Sequence, residues 1–158
     1  MSRMELHISS AAVSDLDELL RIENASFTCP WSEESFLEAL ASDAVRVYVC
    51  RSDGGEILGF ACLLTAADEG ELLNIASDPA VRRTGVGRAL LARCLEDCEK
   101  NGIGALYLEV RESNLPARSL YASAGFEEIG VRRGYYTKPR ESAVLMRRVF
   151  PMNLEGQS

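Results

Sequence analysis

The spacing of hydrophobic residues alternates along the chain between a helical period and the two-residue period of strands. Apolar positions at helical intervals predict a helix over Val13–Ser26, and Ser32 followed by two glutamates predicts a capped second helix ending near Ala41. Further helices are predicted over Gly85–Lys100 and Asn114–Ser123. Strands are predicted over Met4–Ser9, Val45–Arg51, Ile57–Ala66, Glu71–Ser77, Ala105–Val110, Phe126–Arg133 and Ser142–Val149.

The resulting order, βααβββαβαββ, predicts an α/β (α+β) fold with one mixed, mostly antiparallel sheet of about seven strands. Helices are expected on both faces of that sheet. The helix from Gly85 should form a parallel crossover, and the last two strands should form a hairpin. One domain is expected over residues 1–150, followed by a short tail over 151–158.

Composition narrows the class of protein without defining its activity. The 158 residues have a net charge of −7, with 47% hydrophobic and 26% charged residues, which is ordinary for a globular domain. An acidic chain is a poor general binder of nucleic acid, and no apolar segment approaches the ~20 residues that cross a bilayer. Five cysteines without a C-x-x-C pair and a single histidine predict reduced thiols, a cytoplasmic location and no metal site.

Charge is distributed unevenly between the two halves of the chain. Residues 1–73 contain 14 acidic and 4 basic residues, whereas residues 74–158 contain 10 acidic and 13 basic residues. Such asymmetry indicates two partners of opposite charge, although acidic surfaces most often serve solubility alone.

The most specific local feature is an arginine-rich turn at the start of the third helix, Arg82-Arg83-Thr84-Gly85-Val86-Gly87-Arg88. Two glycines permit a tight turn and close approach of a ligand to the backbone. The first amides of a helix lack internal partners and carry partial positive charge. Together with the arginines they predict a pyrophosphate-binding site.

Other interpretations of this turn fit less well. A dinucleotide fingerprint requires a third glycine where Leu90 stands, and a Walker A loop requires Gly-Lys-Ser/Thr. A glycine-bearing loop with solvated arginines is the default for the glycines alone. The position between a strand and a helix favours a ligand site.

At this point the chain resembles the GNAT family of acetyl-CoA-dependent N-acetyltransferases. The family's phosphate loop, Gln/Arg-x-x-Gly-x-Gly/Ala, matches Arg82 to Gly87. The chain is most similar to the bacterial members that acetylate the N-terminal alanine of a small-subunit ribosomal protein. The segments that carry this similarity are Pro30-Trp31-Ser32, Asn74-Ile75-Ala76, Glu109-Val110-Arg111 and Arg132-Arg133-Gly134-Tyr135-Tyr136. Gly134 stands where asparagine is more usual.

The resemblance implies acetyl-CoA as co-substrate, bound without a metal. Backbone amides near Ile75, Ala76 and Ser77 would hold the acetyl carbonyl and the pantetheine arm. The pyrophosphate would lie on Arg83, Thr84, Gly85, Val86, Gly87 and Arg88. Asn114 would hydrogen bond to pantetheine, although its position also suits a helix N-cap.

The resemblance also implies catalytic roles for two residues, Glu109 as general base and Tyr121 as general acid. From the residues alone, Glu109 is better explained as an outward-facing strand residue paired with Arg111. Tyr121 alone is better explained by packing in the helix core beside Leu120. Cys29 has no neighbouring histidine to activate it, so direct transfer in a ternary complex is favoured over an acyl-enzyme.

Trp31, Tyr135 and Tyr136 are the candidates for contacting the acceptor. The expected acceptor is the N-terminal amine of a basic ribosomal protein or peptide, and a monomeric enzyme is expected. Acetylation of a lysine or a small amine, and a non-catalytic acyl-CoA-binding module, remain alternatives.

Overall fold

The computed structural model describes residues 5–151 and contains seven strands and four α-helices in the predicted order βααβββαβαββ. The strands are β1 (His7–Ser10), β2 (Val45–Arg51), β3 (Ile57–Ala66), β4 (Glu69–Ser77), β5 (Ala105–Arg111), β6 (Glu127–Tyr136) and β7 (Glu141–Val149). The helices are α1 (Leu16–Ser26), α2 (Glu33–Ala41), α3 (Val86–Lys100) and α4 (Leu115–Ser123). Within the described residues, no helix is both long and apolar enough to cross a membrane.

The strands form one mixed sheet in the order β1-β2-β3-β4-β5-β7-β6. The pairings β1–β2, β2–β3, β5–β7 and β6–β7 are antiparallel, whereas β4 and β5 pair in parallel through Glu69–Glu71 and Ala105–Tyr107. Helix α3 lies between β4 and β5 in the chain, so the predicted parallel crossover is confirmed.

Contacts divide the chain into two compact units. One contains residues up to Leu64 together with Leu72–Leu95, and the other contains Thr65–Glu71 together with residues from Glu96 onward. We call them the N-unit and the C-unit. A buried cluster in the N-unit joins α1 and α2 to β2 and β3, and its largest members include Leu19, Ile22, Phe36 and Phe60.

Several predicted boundaries differ from the structure, and the largest differences lie in the first strand, the first helix and β6. The segment predicted as one helix from Val13 begins with a 3-10 turn at Val13–Asp15, where the Asp15 carboxylate accepts a hydrogen bond from the Ala12 amide, and α1 begins at Leu16. Strand β6 continues past the predicted end at Arg133 to Tyr136. The first strand begins at His7, and its predicted first residue, Met4, lies outside the described residues.

Several local predictions are confirmed at the level of hydrogen bonds. The Ser32 hydroxyl accepts from the Ser35 amide at 3.1 Å and caps α2, and the Asn114 side chain accepts from the Ala117 amide at 3.2 Å and caps α4. Cys94 and Cys98, four residues apart on α3, are both buried.

Candidate active site

The arginine-rich turn of the N-unit has the geometry of an anion-binding loop. Arg83 and Gly85 adopt left-handed backbone angles, with φ of +67° and +93°. The first α-helical hydrogen bond here runs from the Ala89 amide to the Gly85 carbonyl at 2.9 Å, so the amides at the start of α3 precede the internal ladder. Arg82, Arg83 and Arg88 are exposed. The loop therefore presents cations and helix-end amides to solvent, as pyrophosphate binding requires.

The Thr84 side chain stabilises this turn from within. Its hydroxyl donates a hydrogen bond to the Val81 carbonyl oxygen. Just upstream, the Asp78 carboxylate accepts from the Ala80 amide at 3.0 Å and forms an ion pair with Arg21 at 2.9 Å, and these contacts hold the pKa of Asp78 below its ordinary value. Thr84 thus shapes the loop through its hydroxyl.

A glycine that the sequence analysis did not single out brings β4 close to α3. A Cβ atom on Gly59 of β3 would lie 2.7 Å from the Ala76 carbonyl oxygen and 2.7 Å from the Val86 Cγ1 atom. Both distances are shorter than real Cβ contacts, so any larger residue at position 59 would force these segments apart. Gly59 therefore lets the strand segment Ile75–Ser77 and the start of α3 pack together within the N-unit.

The Trp31 segment is held by a buried carboxylate that the sequence analysis also missed. Glu23 of α1 is 1% exposed, and its carboxylate accepts from the Trp31 amide at 2.8 Å and from the Asn74 side-chain nitrogen at 2.7 Å. Burial raises the pKa of Glu23. The Trp31 ring is half-buried and packs on Phe36, with ring centroids 5.2 Å apart.

In the C-unit, β5 buries Leu106, Leu108 and Val110 and turns Tyr107, Glu109 and Arg111 to its other, half-exposed face. The Glu109 side chain is 23% exposed, and its Oε1 atom lies 3.4 Å from Nη1 of Arg132 on β6. It also accepts a hydrogen bond from the Tyr135 hydroxyl, and this negative charge raises the pKa of Tyr135. Glu109 is therefore an accessible carboxylate held by residues of the predicted acceptor-contacting segment.

The sequence offers Arg111 as an alternative partner of Glu109; in the structure Glu109 pairs with Arg132, and Arg111 contacts the connection between β6 and β7. Its guanidinium pairs with Glu141 at 3.0 Å and donates to the Thr137 and Pro139 carbonyl oxygens, each at 3.0 Å. It also lies over the Tyr136 ring, 4.4 Å from the centroid. Arg111 thus fixes the connection between β6 and β7 next to Tyr136.

The two predicted aromatic contacts on β6 lie together. The Tyr135 and Tyr136 rings meet edge to face, with centroids 5.1 Å apart, and Arg132 lies over the Tyr135 ring. Tyr135 is 47% exposed, whereas Tyr136 is half-buried. Burial, followed by the nearby Glu109 charge, raises the pKa of Tyr136 to about 12. Both phenols therefore stay protonated at neutral pH, and they form one surface beside Glu109.

Tyr121 and Asn114 occupy the two ends of α4. The Tyr121 ring is 6% exposed and meets Phe126 edge to face at 5.7 Å, so the packing role predicted as its alternative is present. The N-cap role of Asn114 is likewise present. These contacts explain how both side chains are held in the structure. The implied roles of Tyr121 as general acid and of Asn114 in binding pantetheine stay predictions.

Within residues 5–151, one group of at least three side chains has the spacing of metal ligands, and it includes none of the predicted site residues. Glu5, His7 and Asp53 place their ligand atoms within 4.8 Å of one another, and all three are exposed. His7 Nε2 and Asp53 Oδ1 are 2.7 Å apart. A surface ion pair is sufficient to explain this arrangement.

Comparisons with known proteins agree with the fold and the loop. The family model described as acetyltransferase (GNAT) family matches residues 16–126. The chain is 40% identical over 141 residues to the [ribosomal protein bS18]-alanine N-acetyltransferase of Escherichia coli K12, covering 88% of this chain and 94% of that protein. It is 36% identical to the enzyme of the same name from Haemophilus ducreyi, covering 88% and 97%.

A solved structure gives the same result at the level of the backbone. The crystal structure of the ribosomal-protein-S18-alanine N-acetyltransferase from Escherichia coli superposes with a TM-score of 0.88 at 38% identity, covering 96% of this chain and 97% of that one. The resemblance drawn from the phosphate loop and the four sequence segments is confirmed. The chain belongs to the acetyltransferase (GNAT) family.

Proposed function

We propose that this acetyltransferase moves the acetyl group of acetyl-CoA to the N-terminal α-amine of a ribosomal protein, with alanine as the first residue. One observation carries the proposal: an accessible Glu109 carboxylate bound to Tyr135 occurs in a chain 40% identical to a protein named for ribosomal-protein-alanine acetylation. The acceptor suggested by that name is ribosomal protein bS18. The chain is proposed to act in the cytoplasm as a monomer, without contacting nucleic acid.

The N-unit supplies the groups that hold the co-substrate. Acetyl-CoA brings the acetyl group as a reactive thioester. The exposed turn from Arg83 to Arg88 binds its pyrophosphate, because the loop combines helix-end amides with arginines. Backbone amides of Ile75, Ala76 and Ser77 bind the acetyl carbonyl, and an amide aimed at that oxygen stabilises the negative charge developing there. In the C-unit, Asn114 binds the pantetheine arm.

The chemistry of the acceptor favours an α-amine. An N-terminal amine has a pKa near ~8, so about a tenth is neutral at pH 7, whereas a lysine amine near ~10.4 costs ~3 kcal/mol more to deprotonate. Glu109 takes the ammonium proton directly or through water, because it is the half-exposed carboxylate beside the proposed acceptor contacts Tyr135 and Tyr136. Trp31 contributes acceptor contacts from the N-unit.

Transfer forms the C–N bond and breaks the C–S bond of the thioester. The ammonium first gives one proton to Glu109, which passes it to solvent. The second N–H proton, released as the C–N bond forms, leaves by the same route, while Tyr121 gives its hydroxyl proton to the departing sulfur and regains one from solvent. Transfer from a phenol with a pKa near ~10 to a thiolate with a pKa near ~8.5 is uphill by about 2 kcal/mol, so the proton moves while the C–S bond is breaking and return of a proton to Tyr121 from solvent completes the step. Cys29 is the exposed cysteine of the described part of the chain, but no histidine lies near it in the sequence to activate it. Direct transfer in a ternary complex is therefore proposed.

Short peptides that differ only in their first residue test this function. With acetyl-CoA, we expect the fastest transfer to a peptide beginning with alanine and copied from the N-terminus of bS18. An otherwise identical peptide with a blocked N-terminus and an internal lysine is the control. Equal rates on every peptide, activity restricted to polyamines or aminoglycosides, or acetyl-CoA binding without turnover would each reject the proposal.

The charge distribution gives a second expected result. Exposed Glu33, Glu34 and Glu38 follow Trp31 on α2, so the N-unit presents negative charge next to a proposed acceptor contact. We expect the KM for a basic acceptor peptide to rise with salt, because screening weakens long-range attraction. The KM for a neutral peptide with the same first residues should change little. A salt-independent KM for both peptides would assign the acidic residues to solubility.

A further inference from the structure

Glu23 differs from Asp15, another buried acid of the N-unit, in what it contacts. Asp15 pairs with Arg51 at 2.7 Å, so a cation compensates its charge. Glu23 instead accepts from two neutral donors, the Trp31 amide and the Asn74 side chain. A buried carboxylate with neutral partners is expensive to desolvate and is a poor choice for stability alone. A positional role is a better explanation.

The two partners of Glu23 belong to different parts of the proposed site. Trp31 lies in the connection between α1 and α2, and it is a proposed acceptor contact. Asn74 lies in β4 directly before Ile75–Ser77, whose amides are proposed to bind the acetyl group. The two carboxylate oxygens are divided between them, Oε2 to Trp31 and Oε1 to Asn74. One buried side chain thus sets the distance between an acceptor-contacting segment and an acetyl-binding strand of the same unit.

We propose that Glu23 is a positioning residue that holds the Trp31 segment against β4. It thereby fixes the position of the acceptor-contacting segment relative to the strand proposed to bind the acetyl group. This inference rests on the proposed function. Glu23 itself touches neither substrate in this proposal, and it acts through the Trp31 amide and the Asn74 amide group. A role confined to stability is the competing explanation.

A donor–acceptor exchange separates the two explanations. Glu23→Met keeps the length of the side chain and removes both acceptor oxygens, so the Trp31 amide and the Asn74 side chain both lose their partner. The exchanged pair Glu23→Gln with Asn74→Asp keeps both hydrogen bonds, because the introduced glutamine accepts from the Trp31 amide through its oxygen and donates through its nitrogen to the new carboxylate. This pair of substitutions keeps side-chain size, net charge and hydrogen-bond number.

Trp31 is the single tryptophan of the chain, so its fluorescence reports on the contact without any substrate. We expect Glu23→Met to shift the emission to longer wavelength and to raise the KM for the alanine peptide about tenfold, the size expected when a buried donor loses its partner. The variant that carries both Glu23→Gln and Asn74→Asp should match the wild type in both measurements. Asp15→Asn is the matched control, because it also weakens a buried carboxylate of the N-unit, and it should lower the melting temperature while leaving emission and KM unchanged.

Unchanged emission and KM in Glu23→Met, or a variant with both Glu23→Gln and Asn74→Asp that departs from the wild type as far as Glu23→Met does, would overturn the inference. If Glu23→Met does not fold, Asn74→Ala removes one donor and leaves the carboxylate in place, and an unaltered KM for that variant would also overturn it. A wild-type chain that acetylates no alanine peptide would reject the proposed function, whereas the emission experiment still decides whether Glu23 holds Trp31.

Discussion

Replacing Glu109 by glutamine is expected to lower kcat/KM for the alanine peptide by roughly 10²–10⁴-fold at pH 7, the range of a lost general base. Glutamine keeps the size of the side chain and can still accept from the Tyr135 hydroxyl, so the loss reflects proton transfer rather than packing. The deficit should shrink as the pH rises past ~8, where the α-amine loses its proton without help. Steady-state kinetics between pH 6 and about 9.5 measure both effects.

Glu128→Gln provides the control for this substitution. Glu128 is a glutamate of the C-unit that also pairs with an arginine, Arg118, at 2.6 Å, yet it has no proposed contact with the acceptor. Its activity should match the wild type at every pH. A loss of less than about threefold in Glu109→Gln, well below the general-base range, would remove Glu109 from the mechanism.

Replacing Tyr121 by phenylalanine is expected to lower kcat about a hundredfold, the lower end of the general-acid range. The phenylalanine ring can keep the edge-to-face contact with Phe126, so the melting temperature should change little. The deficit should narrow above pH ~8.5, because coenzyme A then departs as a stable thiolate and needs no proton. The KM for acetyl-CoA should stay within about twofold, since the variant removes only a single hydroxyl.

Tyr48→Phe is the matched control, because Tyr48 is a 2%-exposed tyrosine of the N-unit with no proposed role in transfer. Removing its hydroxyl should alter stability and leave kcat unchanged. If Tyr121→Phe and Tyr48→Phe both retain full turnover, protonation of the sulfur must come from water rather than from Tyr121.

Local sequence signals predicted most of the fold because the signals themselves are local. Strands β2 and β3 and the caps Ser32 and Asn114 follow from alternation, apolar runs and side chains that reach the next turn. The errors have the same origin. The turn at Val13–Asp15 depends on a tight contact between Asp15 and the Ala12 amide, which residue spacing does not distinguish from a helix. The extension of β6 to Tyr136 depends on pairing with Glu141.

The candidate site was predicted only where a motif marks it. Glu109 was identified by resemblance, but its partner Arg132 lies 23 positions later on β6, and only the sheet brings the two together. Glu23 stands among the acidic residues of an amphipathic helix and looks like a surface residue, because its partner Asn74 is 51 positions away. Gly59 lies within an apolar strand, where the sequence gives no sign that a side chain is excluded. The exclusion follows only from the fold, which places Ala76 and Val86 against this position.

The left-handed backbone of Arg83 has a consequence for protein engineering. A residue with a Cβ atom in this conformation costs about 1–2 kcal/mol relative to glycine, so glycine would be the more stable choice at this position. Stabilisation by replacing such residues with glycine would include Arg83 together with Ala67 and Lys138, and would raise the melting temperature. At position 83 it would also remove a cation from the loop proposed to bind the pyrophosphate. Thermal stability and the proposed affinity for coenzyme A therefore favour different residues at position 83, and a thermostable variant is best designed with Arg83 unchanged.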